Sequence, residues 1–196
     1  MTVGVGVEGP SDFQFWHKVL HKHFRGCRFD VRNMKNREKL IRETPRLLDT
    51  FHDCHYAAGF ILVDQDDDPC LGGVLGLFDA AIRTAARLPD KGSRFLHVCI
   101  AVEELESWYL ADATAINAVI PGCTWSAPTD TRSVAKGKVR SLVRNHLGRH
   151  ASFNEIDFAK TIAPKFDPGR ACRHSASFRY FWELVESTAR HSRGVS

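Results

Sequence analysis

Apolar residues along the first 120 positions switch between two periods. Short runs rich in β-branched residues, at 2–7, 28–34, 57–63 and 95–102, read as strands, the run from 57 to 63 being the most apolar. Between them the spacing turns helical. Phe13, Trp16, Val19, Leu20 and Phe24 fall on one face after a Gly9-Pro10 break, with Ser11 and Gln14 spaced as a capping box. A helix over 38–51 turns Leu40, Ile41, Leu47 and Leu48 inward and carries a kink at Pro45. A helix over 70–88 has the stripe Leu71, Val74, Leu75, Phe78, Ile82 and Ala85, and another runs over 104–118. Strands separated by helices of this length predict right-handed crossovers and a parallel sheet, hence an α/β fold. After Pro121 the pattern becomes a loop (121–130), a basic helix (132–147) and two further helices (156–163 and 175–188). The expected organisation is an α/β domain over 1–120, with a basic loop and helical C-terminal extension over 121–196 packed on it. Phe178, Tyr180, Phe181 and Trp182 are expected in the core.

The strands end on acid. The first apolar run stops at Glu8, the third at Asp64-Gln65-Asp66-Asp67-Asp68, and the fourth at Glu103-Glu104-Leu105-Glu106. In open parallel sheets ligands bind beyond the carboxyl ends of the strands, so these groups are expected at one edge. Carboxylates crowded in this way either share a divalent cation or remain in water. An EF-hand does not fit, because Pro69 and Leu75 stand where that loop needs glycine and glutamate. Asp68 is expected to cap the helix that follows, and Asp12 either stabilises its own helix terminus or joins the site. Glu104 and Glu106 would not face the same way on a regular helix, so one is expected as ligand and the other in support, the pattern leaving open which.

The net charge is +4 and the sequence pI about 8.8, a weak pointer to a polyanionic partner. Lys136, Lys138, Arg140, Arg144 and Arg149 form a basic stretch that serves either as a solvated helix face or as a contact to phosphates. Six cysteines lie scattered without a CxxC pair, which argues against a zinc ribbon or a disulfide framework. His17 and His21 lie one helical turn apart, but without a third ligand of suitable spacing they read as a solvated face. No secretory signal or apolar run of membrane-spanning length is visible, so a reducing cytoplasm is expected and no membrane partner.

Val7-Glu8-Gly9-Pro10-Ser11-Asp12 resembles the first motif of Toprim domains, and Asp64-Gln65-Asp66 resembles their DxD motif. More narrowly, Asp64 to Asp66 followed by Asp68-Pro69-Cys70, then the segment from Ala101 to Asp112, then Ser175-Ala176-Ser177-Phe178, is similar to the DUF4276 family. That family is Toprim-like and related to the nuclease half of OLD-family proteins. The resemblance implies a compact open parallel sheet and Mg²⁺- or Mn²⁺-dependent chemistry on DNA or RNA phosphodiesters. It places Glu8, Asp64 and Asp66 as catalytic and metal-binding residues, with Glu104 or Glu106 as a further ligand; Lys138 would approach the scissile phosphate. It also implies a role in phage defence beside an ABC-type ATPase. The chain has no Walker A motif, so that ATPase would be a separate protein. An exposed aromatic patch would serve a homo-oligomer. Two rivals stand beside hydrolytic cleavage: a non-catalytic subunit that binds nucleic acid or a partner through the same fold, and a phosphatase with an aspartyl nucleophile. The phosphatase wants threonine or valine after the DxD, where this chain has Asp67 and Asp68.

Overall fold

In a computed structural model, residues 1–68, 70–86, 95–134, 137–148 and 152–191 are described. The four apolar runs are strands of one parallel sheet: β1 (Thr2–Val7), β2 (Arg28–Asn33), β3 (Ala58–Asp64) and β4 (Leu96–Ala101), in the spatial order β2-β1-β3-β4. Helix α1 (Pro10–His23) joins β1 to β2 across one face. Helix α2 (Arg37–Asp53) then returns across the other face to place β3 on the far side of β1. The order in which strands are added across the sheet therefore reverses at β1 and β3, and the connections leaving these parallel neighbours diverge to opposite faces. Such a switch point opens a crevice at the carboxyl ends of the two strands.

The two faces are packed differently. Val3, Val5 and Val7 of β1 point toward α1 and an aromatic cluster in which Trp16, Trp108, Phe178 and Phe181 are all fully buried. Ring pairs hold it together, including Trp16–Phe181 at 4.8 Å edge to face and Trp108–Phe181 at 5.7 Å stacked. Phe178, Phe181 and Trp182 are core as expected, whereas Tyr180 is 58% exposed. On the opposite face the alternate positions of β1 are Gly4 and Gly6. A β-carbon built on Gly4 would lie 2.5 Å from the Phe51 ring, and one on Gly59 of β3 would lie 2.9 Å from it. The missing side chains let α2 sit low on the sheet, with Leu40, Leu47 and Phe51 filling the space.

Several boundaries differ from expectation. α1 begins at Pro10, and its first turn is closed by Asp12, whose Oδ2 accepts the Gly9 N–H at 2.9 Å, so Ser11 lies inside the helix. α3 (Leu71–Ile82) is capped by Cys70, whose Sγ accepts the Gly73 N–H, while Asp68 pairs with Arg37. Of the α3 stripe only Val74 and Phe78 are buried; Leu71 and Leu75 are exposed. Arg87 and Leu88 lie outside the described residues.

The single helix expected over 104–118 is two, α4 (Leu105–Leu110) and α5 (Ala113–Val119). It breaks where the fully buried Asp112 caps α5 through the Ala115 N–H and takes two hydrogen bonds from Arg170 at 2.7 and 3.0 Å. The basic helix is shorter than expected: a 3₁₀ turn (Thr131–Ser133) precedes α6 (Lys138–Leu147), and Lys136 and Arg149 lie outside the described residues. Beyond it come α7 (Glu155–Ile162), a short α8 (Pro168–Ala171) that periodicity did not suggest, and α9 (Ala176–His191). Lys18 and Lys22 of α1 donate to carbonyls of Lys160 and Pro164 at 3.0 and 2.9 Å, and the Trp108 indole donates to Ser177 at 2.8 Å, tying α4 to α9.

Gly4→Ala should cost about 1–3 kcal/mol, the usual penalty for overpacking a filled core. Urea unfolding would show this as a lower midpoint at unchanged slope, with recovery when Phe51→Leu is added. An unchanged midpoint in Gly4→Ala would mean that α2 is not held at this height by the glycines.

Candidate metal centre

Glu8 follows β1 directly, and Asp64 closes β3, its immediate neighbour. The two meet at the switch point: Glu8 Oε1 accepts the Asp64 backbone N–H at 2.9 Å. This bond fixes one oxygen of Glu8 at the end of β3. The β3 and β4 ends are stitched in turn, with Gln65 N–H donating to Ala101 C=O at 2.9 Å and Asp66 N–H to Glu103 C=O at 2.8 Å. Asp66 (φ 53°) and Glu103 (φ 67°) both adopt the left-handed backbone region. An aspartate tolerates that conformation better than most residues, and here it folds the DxD segment back over the strand ends.

A cleft of about 260 Å³ results, lined by carboxylates from every quarter: Glu8, Asp12, Asp64, Asp66, Glu104, Glu106 and Glu155. Arg37, Lys35 and Asn36 from the β2–α2 connection form the opposite wall. Glu8, Asp64, Asp66, Glu104 and Glu106 thus line one cleft, and Glu103 is not among the lining groups. Glu104 precedes α4, so the rule for facing positions on a regular helix does not apply to it. Its Oε1 accepts the Gly137 N–H at 2.6 Å, which ties the start of α6 to the end of β4. Lys138 lies beside this contact, its ammonium 5.5 Å over the Trp125 ring, and it is not one of the cleft-lining groups.

Three lining features escaped sequence reasoning. Lys35 lies just beyond the end of β2 and Arg37 opens α2, where the same strand-end rule should have sought them. Glu155 arrives from the start of α7 and pairs with Arg140 at 2.7 Å; no sequence signal connects it to the site.

The electrostatics follow from packing so much acid into one half-buried space. Burial pushes the Glu8 carboxyl up to about 7, with Asp12 and Asp66 adding repulsion and the Asp64 N–H and Arg37 working against it. Burial likewise carries Asp12 to about 6 and Glu106 to about 8, the latter with repulsion from Glu104. Asp64 is held well above the usual carboxylate range by burial and then by Asp12, Glu8, Glu106 and Asp66. Arg37 works against this charge: it pairs with Asp68 and reaches the Gln65 carbonyl at 3.5 Å.

The DUF4276 family, described as a domain of unknown function, matches residues 7–186. This chain belongs to that family. The chain is also similar to the C-terminal region of the Burkholderia pseudomallei OLD protein, at 14% identity and a TM-score of 0.55 over 95% of this chain and 98% of that one. Similarity to the C-terminal region of the Xanthomonas campestris pv. campestris OLD protein is of the same order, with 14% identity, a TM-score of 0.54, and coverage of 98% and 97%. At this identity the likeness speaks for the fold, an open parallel sheet with a helical C-terminal extension. No curated protein matches the chain. No helix among the described residues is long and apolar enough to cross a membrane.

The raised carboxyls set a pH dependence. Glu8 and Glu106 titrate at about 7 and 8 in the fold, against 4.5 for the ordinary group. The folded chain thus holds more protons than the unfolded chain across this window, and stability falls as pH climbs through it. Metal-stripped protein should melt at a higher temperature near the lower end of the window than near the upper end; a flat or rising profile would contradict the assignment. Asp64→Asn removes a repelled charge while keeping the shape. It should raise the melting temperature by a few degrees at the upper end of the window, a stabilisation typical of groups held for function.

Proposed function

We propose that this protein is a metal-dependent nuclease-like enzyme that hydrolyses phosphodiesters of DNA or RNA at the β1/β3 switch point. The observation that carries the reading is the bond from the Asp64 N–H to Glu8, which unites two carboxylates from distant sequence in a cleft that also receives Glu106 from β4–α4.

The donor set suits Mg²⁺ or Mn²⁺. Every candidate ligand is a hard carboxylate oxygen, and the raised proton affinity of Glu8, Asp64 and Glu106, set first by burial and then by neighbouring carboxylates, marks sites whose charge a divalent cation would stabilise. Among the described residues no three such groups stand ready as a closed cage. An ion that keeps most of its waters and takes one or two carboxylates does not require one. Of Glu8, Asp64, Asp66 and Glu106, one or two would hold the ion directly and the others would meet it through its waters. Glu104, engaged with Gly137, would position α6 and hence Lys138. When bound, the cation supplies neutralisation of phosphate charge and a more acidic water.

The protein's own groups perform the remaining work. The Asp64 N–H orients Glu8 and leaves its Oε2 for a ligand or a proton. Arg37, braced by Asp68, offers positive charge to a phosphate entering beside the carboxylates. Lys138, at the start of α6, would reach the phosphate by leaving the Trp125 ring. The structural likeness to the OLD C-terminal regions supports the reading of a nuclease-related domain, and a place in phage defence beside a separate ATPase extends it.

Purified protein given Mg²⁺ or Mn²⁺ should cut plasmid, linear or single-stranded substrates, and chelation should stop it. Glu8→Gln and Asp64→Asn should each lose about 100-fold or more, the scale for a group that moves a proton or stabilises charge in the transition state. Cutting that persists in both variants would reject the site. Metal and nucleic-acid binding without cutting, alone or with an ATPase, would favour a non-catalytic subunit.

A further inference from the structure

Positive charge in this chain is concentrated where helical periodicity gives no hint of it. Residues 28–46 hold seven Arg and Lys against three Asp and Glu. They form β2 and the first half of α2, beside the β1/β3 crevice. Met34 and Lys39 line a groove of about 550 Å³ between β2 and α2, and the intervening Lys35, Asn36 and Arg37 line the acidic cleft. The groove and the cleft thus adjoin across one short connection. Lys35 sits there with φ 79°, a conformation held by the Asn33 side chain, which accepts the Lys35 N–H at 2.7 Å.

The groove's cations are available. Arg32 is paired with Asp30 at 2.8 Å, but Lys39 and Arg46 have no ion-pair partner among the described residues, nor does the exposed Lys35. In contrast, three cations of the C-terminal basic stretch are engaged: Arg132 with Asp130, Arg140 with Glu155, and Lys138 over Trp125. Lys39 and Arg46 are two helical turns apart, about 10 Å along the axis. That interval spans about three nucleotides of one strand in a duplex. Asn33 and Thr50 add neutral polar groups to the same lining, and the lining carboxylate, Glu43, is paired with Arg42 at 3.5 Å.

Taking the ligand chemistry from the nuclease reading, we infer that the β2–α2 groove carries the phosphate backbone of the bound nucleic acid away from the acidic cleft. Lys35 and Arg37 stand at the entry, and Lys39 and Arg46 lie further along α2. A polyanion cannot approach seven carboxylates unaided, and this track supplies the compensating charge on the side where the strand would leave. The contacts are to the backbone, so sequence preference is not expected from this surface.

The test is binding of labelled single-stranded and duplex oligonucleotides, followed by anisotropy across a salt series with Ca²⁺ in place of Mg²⁺. Three proteins are compared with the wild type: Lys39→Glu/Arg46→Glu, the neutral Lys39→Gln/Arg46→Gln, and Arg173→Glu/Arg179→Glu. The last removes the same charge from the C-terminal helices, beyond the face that holds α2. Circular dichroism melts establish that each is folded, and the neutral pair reports on the groove if the reversal fails to fold. The charge reversal should weaken binding at least about tenfold and flatten the salt dependence by about 1 per lost cation. The neutral pair should fall between it and the wild type, and the C-terminal pair should bind nearly as the wild type does. Equal losses in the α2 and C-terminal pairs, or an α2 pair that binds as the wild type, would overturn the groove even if the wild type cuts. Groove-dependent binding with no cutting under any divalent ion would leave the groove standing and sink the nuclease reading instead.

Discussion

Like charges held together by a sheet are the constraint that organises this molecule. A parallel sheet fixes neighbouring strand ends about 5 Å apart, whatever residues they carry. Here the strand ends carry glutamate and aspartate, and the reversal of strand order at β1 and β3 leaves them facing a common crevice. The Asp64 N–H and the positive β2–α2 wall offset part of the repulsion, and raised proton affinity accommodates the rest. The fold therefore tolerates a locally unfavourable arrangement because its two cores hold the strands in place, a pattern expected of sites kept for chemistry rather than stability.

The two faces of the sheet share this task unequally. The face under α1 carries the dense aromatic packing and recruits the C-terminal helices into it through Trp108, Phe178 and Phe181. Asp112 and Arg170 brace the same side, the buried Asp112 carboxylate accepting from the Ala115 and Asp167 N–H groups and from the part-exposed Arg170 guanidinium. The other face is thinner and relies on the fit of α2 against glycine positions. Strength on one side and close approach on the other place acid at the crevice and base at its rim.

Much of this was legible in the residues. The run from 2 to 7 is a strand to the residue, and acid at three strand ends located the crevice because side-chain identity at a strand terminus survives any error in helix boundaries. What escaped notice depended on contacts between distant segments. Asp112 interrupts a helical pattern because Arg170 and the Asp167 N–H meet it, which no local spacing encodes. The α3 leucines satisfy an apolar stripe, yet periodicity does not reveal whether a face is covered, and Leu71 and Leu75 remain exposed. The family resemblance supplied roles that pattern alone leaves open, and the hydrogen bond to Gly137 sets Glu104 and Glu106 apart in a way that neither source anticipated.

The glycines of β1 have a consequence beyond packing. Gly4 and Gly6 act as spacers that calibrate the gap between sheet and helix. Arg37 begins the helix that rests on them, while Glu8 directly follows the strand that contains them. A methyl group introduced into the strand would work as a shim, lifting the cationic wall away from the anionic one without touching a single charged residue. The tuning of this crevice is thus written partly in side chains that the protein does not have.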